Sequence, residues 1–355
     1  MTFSASTFAG VGACGNTHYS DEVLRIHQSS LVVDGHNDLP WGLRTHADMD
    51  LTKFNLDTVQ NNFHTDMVRL RQGGMGAQFW SAYVPMSQPQ ASAVKMTFEQ
   101  MDLIERMAKK YSSTLQLALS TKDIRQARLK GKIASLIGVE GGHSINNSLE
   151  TLTKLYAKGA RYMTLTHSKN LDWIESATDS PMSQPLNAFG ESVVREMNAL
   201  GMLVDISHVS ARAMRSVLQV STSPVIASHS SAYSVTQHPR NVPDDVLQTI
   251  ASNGGVVMVN FYNRYIEHGG RVNVATLVDH IDHIVKVAGI DHVGLGSDYD
   301  GVELVPDGLE DVSCYPSITE ELLKRHYSES DIRKILGENL MRAFQKVEEL
   351  ISTKS

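Results

Sequence analysis

Histidine and carboxylate side chains follow directly after a short apolar stretch near the start of this sequence. Residues 31–35 are apolar and β-branched, as in a short buried strand, and His36 and Asp38 come next. Residues two apart in an extended chain point to the same side, so this imidazole and this carboxylate can converge on one metal ion. Pro40 is equally typical of a plain strand-to-loop exit. Taken alone, the pair is weak evidence for a metal site.

Eight strand-like segments alternate with helical ones along the chain. The strands cover residues 31–35, 77–84, 133–139, 160–166, 202–206, 224–228, 255–261 and 292–297. The helices cover residues 21–29, 97–111, 149–158, 187–200, 211–220, 244–252, 274–288, 318–327 and 328–349. This alternation predicts parallel βαβ units, and eight strands are the number that closes a barrel. We therefore predict an α/β fold: a single (β/α)8 TIM-like barrel with extra C-terminal helices. An open doubly wound sheet is the alternative, but no Gly-x-Gly-x-x-Gly follows the first strand.

Six of the eight predicted strands end in a side chain able to bind a metal or move a proton. In chain order, these are His36 with Asp38, Glu140, His167, His208, His229 and Asp298. A single histidine after a strand is more often a loop hydrogen-bonding residue, and a single glutamate is usually solvated. A closed barrel, however, would direct all six ends to one mouth. Three histidines, one aspartate and one glutamate suit two divalent metals, with the glutamate able to bridge them and Asp298 left as a base.

Composition describes an ordinary globular protein and excludes several functions. The chain has 355 residues, of which 41% are hydrophobic and 20% charged, and its net charge is −7. This charge argues against nucleic-acid binding, and no run of about 18 apolar residues predicts a membrane span. Two cysteines, Cys14 and Cys314, cannot form a disulfide framework for this size, and the N-terminus lacks signal-peptide features. We therefore expect a cytoplasmic protein without disulfides.

Several motifs resemble the membrane (renal) dipeptidase family, zinc dipeptidases among the amidohydrolase-like metal-dependent barrels. The matching stretches are residues 34–41 (DGHNDLPW), 138–145 (GVEGGHSI), 161–168 (RYMTLTHS), 205–210 (DISHVS), 228–235 (SHSSAYSV), 240–245 (RNVPDD), 296–301 (GSDYDG) and 308–313 (GLEDVS). Together they run from about residue 30 to 350. The first twenty residues are rich in small and polar side chains, so residues 1–20 are predicted to be a flexible N-terminal arm and residues 21–355 the metal-dependent (β/α)8 hydrolase domain.

The resemblance implies a role for each candidate residue. It implies two Zn²⁺ ions per chain, one bound by His36 and Asp38, the other by His208 and His229, with Glu140 bridging both. It further implies that His167 contacts the scissile carbonyl, that Arg240 binds the substrate's C-terminal carboxylate, and that Asp298 is the acid/base. The substrate would be a dipeptide and the assembly a homodimer. Residues near the motifs that we interpret as supporting the site are Asp34, Asp205, His143 and Asp300.

Two other functions remain open at this point. A related dinuclear-metal hydrolase of another amide or a β-lactam could use the same site, and Arg240 is the residue that separates it from a dipeptidase. A non-catalytic binding protein on the same barrel is disfavoured, because the set of candidate ligands is intact. Extracellular members of the family carry disulfides and often a lipid anchor, so a surface-anchored role is in doubt here.

Overall fold

All eight predicted strands are present, and together they form a closed barrel. The computed structural model describes residues 12–352, and it has nine strands in this range. They are β1 (Val32–Asn37), β2 (Met75–Tyr83), β3 (Leu115–Leu117), β4 (Ile133–Glu140), β5 (Ala160–Thr164), β6 (Leu203–Asp205), β7 (Val225–Ala227), β8 (Val256–Val259) and β9 (Val293–Leu295). The order is β2-β1-β9-β8-β7-β6-β5-β4-β3, and pairing of β2 with β4 closes an eight-stranded parallel barrel, with β3 outside it. The prediction of a (β/α)8 TIM-like fold is confirmed, and the open sheet is excluded.

Helices surround the barrel and connect its strands. They are α1 (Asp21–Ser29), α2 (Leu39–Ala47), α3 (Met67–Gln72), α4 (Gln90–Lys110), α5 (Thr121–Leu129), α6 (Leu149–Lys158), α7 (Ala188–Leu200), α8 (Ala211–Val220), α9 (Asp244–Asn253), α10 (Asn263–Ile266), α11 (Val274–Ala288), α12 (Tyr315–Lys324), α13 (Glu329–Arg333) and α14 (Asn339–Ser352). Four of them, α1, α6, α8 and α11, have the predicted bounds. In each, a side chain of the preceding Ser or Asn accepts a backbone hydrogen bond from the first turn, which fixes where the helix begins.

Two predictions about helices were wrong. No helix was predicted between the strands at residues 31–35 and 77–84, where the sequence is largely polar, but α2 and α3 lie there. Both are short, so neither shows a long amphipathic pattern. The single C-terminal helix expected over residues 328–349 is divided into α13 and α14 by a π-type turn at Lys334–Glu338. Within that turn Gly337 packs against the carbonyl of Leu31, and a Cβ at this position would overlap it. The helix therefore breaks where it crosses the amino end of β1.

Strand alternation decides which side chains fill the barrel. In β4, Leu136, Gly138 and Glu140 share one face. Leu136 belongs to a buried cluster with Phe79 and Tyr162. Glu140 thus stands above a packed apolar interior, at the carboxyl end of the barrel, where little water can screen its charge.

A disulfide joins Cys14 to Cys314, 300 residues apart in the sequence. Around it, the backbone N–H of Ala13 donates to Asp311 at 2.8 Å, and that of Cys14 donates to Ser313 at 3.2 Å. The expectation of a chain without disulfides was therefore wrong, because a single pair this far apart leaves no spacing pattern. Residues 1–11 of the predicted arm lie outside the described residues, and the division at residue 20 stays a prediction.

Within residues 12–352, no helix combines the length and the apolar character needed to cross a membrane.

Candidate metal centre

Seven candidate residues lie at the carboxyl ends of six barrel strands. His36 is within β1 and Glu140 ends β4, whereas the others follow their strands within three residues. Those others are Asp38 after β1, His167 after β5, His208 after β6, His229 after β7 and Asp298 after β9. Parallel barrel strands open their carboxyl ends onto a single mouth, and there the side chains meet.

Glu140 lies between two groups of side chains. Its Oε2 is 3.4 Å from Nε2 of His36, while its Oε1 is 3.1 Å from Nε2 of His208 and 3.6 Å from Nε2 of His229. The Ser81 hydroxyl donates to Oε2 at 3.0 Å and helps to fix the carboxylate. One carboxylate oxygen therefore faces each group, as a bridging ligand would require.

The first group, here called the carboxylate half, consists of His36, Asp38 and Asp298. Nε2 of His36 is 3.2 Å from Oδ2 of Asp38 and 3.9 Å from Oδ1 of Asp298. Each residue offers a ligand atom, and these atoms lie within 4.8 Å of one another. Nε2 of His36 and Oδ1 of Asp38 are buried without a hydrogen-bond partner among the described residues. Buried polar atoms normally have partners, so these two fit a bound cation.

The second group, here called the imidazole half, consists of His208 and His229. Their Nε2 atoms face each other at 2.9 Å. Burial, together with the positive charge of Arg240, lowers the pKa of both rings well below the ordinary value, so both are neutral. Two neutral ring nitrogens at this distance repel unless a proton or a cation lies between them. Neutral imidazole is also the form that binds metals.

Electrostatics in the carboxylate half favour a positive charge. Burial alone would lower the pKa of His36, but the Tyr162 phenol and the Glu140 and Asp38 carboxylates raise it well above its usual value. Glu140 responds in the opposite sense: burial would raise its pKa, but its histidine neighbours hold it well below the normal range. An ionised Glu140 and a stabilised positive charge beside it suit a divalent cation.

Tyr162 orients the His36 ring from inside the barrel. Nδ1 of His36 is 2.8 Å from the phenol oxygen, which donates in turn to the carbonyl of Gly35 at 3.1 Å. Nδ1–H is therefore the donor, and Nε2 is left free to face Glu140. Gly138 of β4 makes this possible, since a Cβ there would overlap the Tyr162 ring.

His167 lies beside the imidazole half. Its ring centroid is 4.1 Å from that of His208 and 5.0 Å from that of Tyr83, and its Nε2 is 3.6 Å from Oε1 of Glu140. Nδ1 of His167 is buried without a partner among the described residues. Its ligand atom also lies within 4.8 Å of those of Glu140 and His208. The position allows contact with either a substrate or a metal.

Arg240 comes from the loop between β7 and α9 and is 1% exposed. Its two terminal nitrogens donate to Ser230 Oγ and to the carbonyl of His229, both at 3.1 Å. Its Nε has no hydrogen-bond partner among the described residues, and the guanidinium lies 5.4 Å from the Tyr265 ring centre. A buried guanidinium held in this way presents a fixed positive charge to the cavity.

Asp298 follows β9 with a backbone φ of +67°, the same value as at His208. Such left-handed conformations are costly for residues other than glycine and cluster at functional sites. The Asn260 amide donates to Oδ2 of Asp298 at 2.8 Å. Burial raises the pKa of Asp298 to about 8, the nearby His36 opposing the shift and the Asp38 and Glu140 carboxylates adding to it. One oxygen is thus anchored, and the other faces His36.

A cavity of about 580 Å³ opens above these residues. Besides the candidates, its lining includes Trp41, Tyr83, Tyr262, Tyr265, Asp300 and Glu303. Asp300 was predicted to support the site, whereas the other five were not predicted. Trp41 ends the first matching motif and Asp300 lies in the motif at residues 296–301, but the other four carry no local pattern that distinguishes them. The lining therefore combines aromatic and acidic side chains.

The two strand ends left without a candidate also contribute to the centre. β2 supplies Ser81, which bonds Glu140, and β8 is followed by Asn260, which bonds Asp298. Neutral polar residues of this kind were not predicted, because a lone serine or asparagine is common at any strand end. Their position at barrel strand ends is the signal that could have found them.

Comparison with known proteins shows the family to which the chain belongs. Residues 20–355 match the sequence model of a family described as membrane dipeptidase, peptidase family M19. Among solved structures, the probable dipeptidase PvdM from Pseudomonas aeruginosa has 24% identity and a TM-score of 0.84, covering 94% of this chain and 100% of its own. A metallopeptidase from Rhodobacter sphaeroides, bound to a phosphinate mimic of the dipeptide L-Ala-D-Ala, has 23% identity and a TM-score of 0.82, covering 90% and 100%.

A further solved metallopeptidase of family M19, called dipeptidase AC, has 25% identity and a TM-score of 0.81, covering 90% of this chain and 99% of its own. The family match extends over nearly the whole chain. The family includes metallopeptidases, and the clusters of candidate metal ligands in this chain fit a metal-dependent enzyme. The chain therefore belongs to the membrane dipeptidase family, peptidase family M19, and is a metallopeptidase that hydrolyses peptide bonds.

Proposed function

We propose that this protein is a zinc-dependent dipeptidase that hydrolyses dipeptides with a free C-terminal carboxylate. The observation that carries the proposal is the position of Glu140, with one oxygen toward each half of the centre. A carboxylate shared between two ligand groups is the feature expected of a dinuclear hydrolase.

Two Zn²⁺ ions per chain are the proposed cofactors. His36 and Asp38 would hold one, His208 and His229 the other, and Glu140 both. Imidazole and carboxylate are ligands that zinc accepts, and the buried atoms without partners in the carboxylate half support this assignment. When bound, such a pair of ions polarises a carbonyl oxygen and makes a water nucleophilic at neutral pH.

Arg240 is the proposed site for the substrate's C-terminal carboxylate. A buried positive charge without an anionic partner is costly, and the cavity is where that partner would enter. A carboxylate there would gain charge-assisted hydrogen bonds. The cavity volume is typical of a small-molecule site, and the dipeptide mimic bound to the Rhodobacter sphaeroides relative supports a substrate of this size.

His167 is the proposed contact to the scissile carbonyl. Burial lowers the pKa of its ring, so the side chain is a neutral donor and acceptor. It lies between Tyr83 and His208, at the boundary of the cavity and the centre. From there one ring nitrogen can donate to a carbonyl oxygen, which would hold the reacting group in place during hydrolysis.

Asp298 is the proposed acid/base. Its anchored oxygen, bonded to Asn260, fixes the carboxylate, while Oδ1 faces the carboxylate half. Cations bound in the centre would favour its ionised form, which could take a proton from the attacking water and give it to the leaving amine. Amines leave poorly unless protonated, so some group near the water must make this transfer.

A substrate screen with the zinc-loaded protein tests the proposal. We expect hydrolysis of free dipeptides and, because the Arg240 pairing is lost, at least about 10-fold lower kcat/KM for their C-terminal amides. Chelation should abolish activity, and zinc should restore it. Hydrolysis of N-acyl amino acids or β-lactams without any dipeptide activity would instead favour the related hydrolase considered above.

The homodimer that the resemblance implies remains a proposal, whereas the expected cytoplasmic location has an observation against it. The Cys14–Cys314 disulfide argues against the cytoplasm, because disulfides persist mainly in oxidising compartments. Sedimentation of the purified protein tests the dimer. Titration of thiols in protein isolated without reductant tests the compartment, since a cytoplasmic protein should show two free thiols.

A further inference from the structure

Two buried aspartates outside the proposed ligand set lie on opposite sides of the barrel. Asp34 is in β1 and Asp205 ends β6, and four strand steps separate β1 from β6 in either direction around the barrel. Both side chains are fully buried. Each comes shortly before a proposed ligand, His36 in one case and His208 in the other.

Asp34 accepts four hydrogen bonds. Its Oδ1 receives the backbone N–H of His36 at 3.2 Å and that of Ser297 at 2.8 Å. Its Oδ2 receives the hydroxyls of Ser297 and Tyr315, each at 2.6 Å. Ser297 directly precedes Asp298, so this carboxylate joins the end of β1 to the end of β9.

Asp205 has a matching set of donors. Its Oδ1 receives the backbone N–H of Ser207 at 3.0 Å and that of Ser228 at 2.8 Å. Its Oδ2 receives the hydroxyls of Thr164 at 2.5 Å and Ser228 at 2.6 Å. Ser228 directly precedes His229. The two arrangements therefore share a neighbouring-strand serine that donates through both its backbone and its hydroxyl.

They differ in what the serine hydroxyl contacts next. Ser228 Oγ is 2.7 Å from Nδ1 of His229, whereas no ring nitrogen is recorded beside Ser297 Oγ among the described residues. The single hydroxyl hydrogen of Ser228 is needed between its oxygen and Asp205, because two oxygens at 2.6 Å without a hydrogen would repel. Ser228 must therefore accept from His229, and the ring proton is on Nδ1.

We infer that Asp205 is a positioning residue that acts through Ser228 to fix the tautomer of His229, leaving Nε2 unprotonated toward Glu140. The inference rests on the proposed function, in which Nε2 of His229 holds a zinc ion. Outer partners of this kind orient a histidine ligand, and their loss typically weakens metal binding by about 10–100-fold.

Asp205→Asn tests the direction of the hydrogen bonds. The two backbone N–H groups can only donate, so the remaining carbonyl oxygen must face them and the new NH₂ must face the hydroxyls. Ser228 would then accept from the amide and donate to His229, which moves the ring proton to Nε2. We expect zinc affinity in the imidazole half to fall about 10–100-fold, as for other partners of metal-bound histidines.

Ser228→Ala and Ser297→Ala form a matched pair. Each variant removes a serine hydroxyl that donates a hydrogen bond to a buried aspartate, but only the Ser228 hydroxyl also contacts a histidine ring. Zinc competition with a chromophoric chelator on the full-length protein should show weaker binding of one ion in Ser228→Ala and near wild-type binding in Ser297→Ala. Equal losses in both variants, or none in Ser228→Ala, would overturn the inference even if Asp205→Asn fails to fold.

Nitrogen-15 NMR of His229 in the chelator-treated full chain gives a second measurement. We expect the Nδ1–H tautomer in the wild type and the Nε2–H tautomer in Asp205→Asn, a change that a purely structural role would not cause. The same tautomer in both would contradict the inference. If zinc binding follows these expectations but no dipeptide is hydrolysed, the proposed function fails alone; if dipeptides are hydrolysed and Ser228→Ala binds zinc normally, the inference fails alone.

Discussion

The two halves of the metal centre hold their residues by different means. In the carboxylate half, His36 lies against two carboxylates, and its second ring nitrogen bonds the Tyr162 phenol. In the imidazole half, the two ring nitrogens face each other, and His229 bonds a serine hydroxyl. The first half collects negative charge, whereas the second is neutral and lies beside the Arg240 guanidinium. We therefore expect the ion in the imidazole half to be the more easily lost.

The largest effect on activity is expected from a change at Asp298, which lies in the carboxylate half but is not among the proposed ligands. Asp298→Asn keeps the size of the side chain and removes the base, so kcat should fall by about 10²–10⁴. Zinc content, measured on the same sample, should stay at the wild-type value. A variant that loses an ion would make Asp298 a ligand of this half, as its distance to His36 also allows.

A change at Arg240 tests the effect of its positive charge on substrate binding and on the imidazole half. Arg240→Ala should raise KM for a free dipeptide by about 10–100-fold, because hydrogen bonds to a charged group are lost. It should also strengthen zinc binding in the imidazole half, since a nearby positive charge is removed. Steady-state kinetics and chelator competition measure the two effects.

Arg195→Ala is the matched control, because Arg195 is an exposed arginine of α7 and does not line the cavity. We expect its KM and zinc affinity to stay close to the wild-type values. A similar rise of KM in both variants would mean that the overall charge, and not a specific pairing, attracts the substrate.

Tyr162→Phe is the counterpart of the Ser228 variant in the carboxylate half. It removes the acceptor of the Nδ1 proton of His36, so zinc binding in that half should weaken about 10-fold, at the lower end for such partners. Chelator competition should then show the two ions leaving at more similar concentrations than in the wild type. Unchanged binding would mean that packing alone orients His36.

The smallest effect on either half is expected from the disulfide. Cys14→Ser should lower the free energy of unfolding by about 2–4 kcal/mol, because the long loop closed by the bond is released in the unfolded chain. Urea denaturation measures this change, and kcat should not alter, since Cys14 is not among the residues that line the cavity. Equal unfolding midpoints in the two proteins would show that the bond does not stabilise the fold.

Elements with strong periodicity could be predicted from the sequence. The eight barrel strands are largely apolar, so their existence could be predicted. Helices α6 and α8 combine an amphipathic face with a serine cap, so the bounds of these two helices could also be predicted. The strand ends then indicated which side chains would meet. Short elements such as α3 and β3 contain too few residues for a period to appear.

Contacts between distant segments could not be predicted in the same way. Two cysteines 300 residues apart form one of many conceivable pairs, and only the fold brings them together. The hydrogen bonds of Asp205 are another example, because Ser228 and Thr164 belong to different strands whose register the sequence does not state. Proximity to the motifs marked Asp205 as a supporting residue, but its partners required the structure.

A zinc titration of metal-free protein, with bound zinc and dipeptide hydrolysis followed together, tests the central claim most directly. If Glu140 bridges two ions, wild-type activity should rise until two equivalents of zinc are bound, and Glu140→Gln should weaken both ions together and lose activity. Full activity at one equivalent, or a Glu140→Gln variant that still binds two ions as tightly as the wild type, would contradict the account.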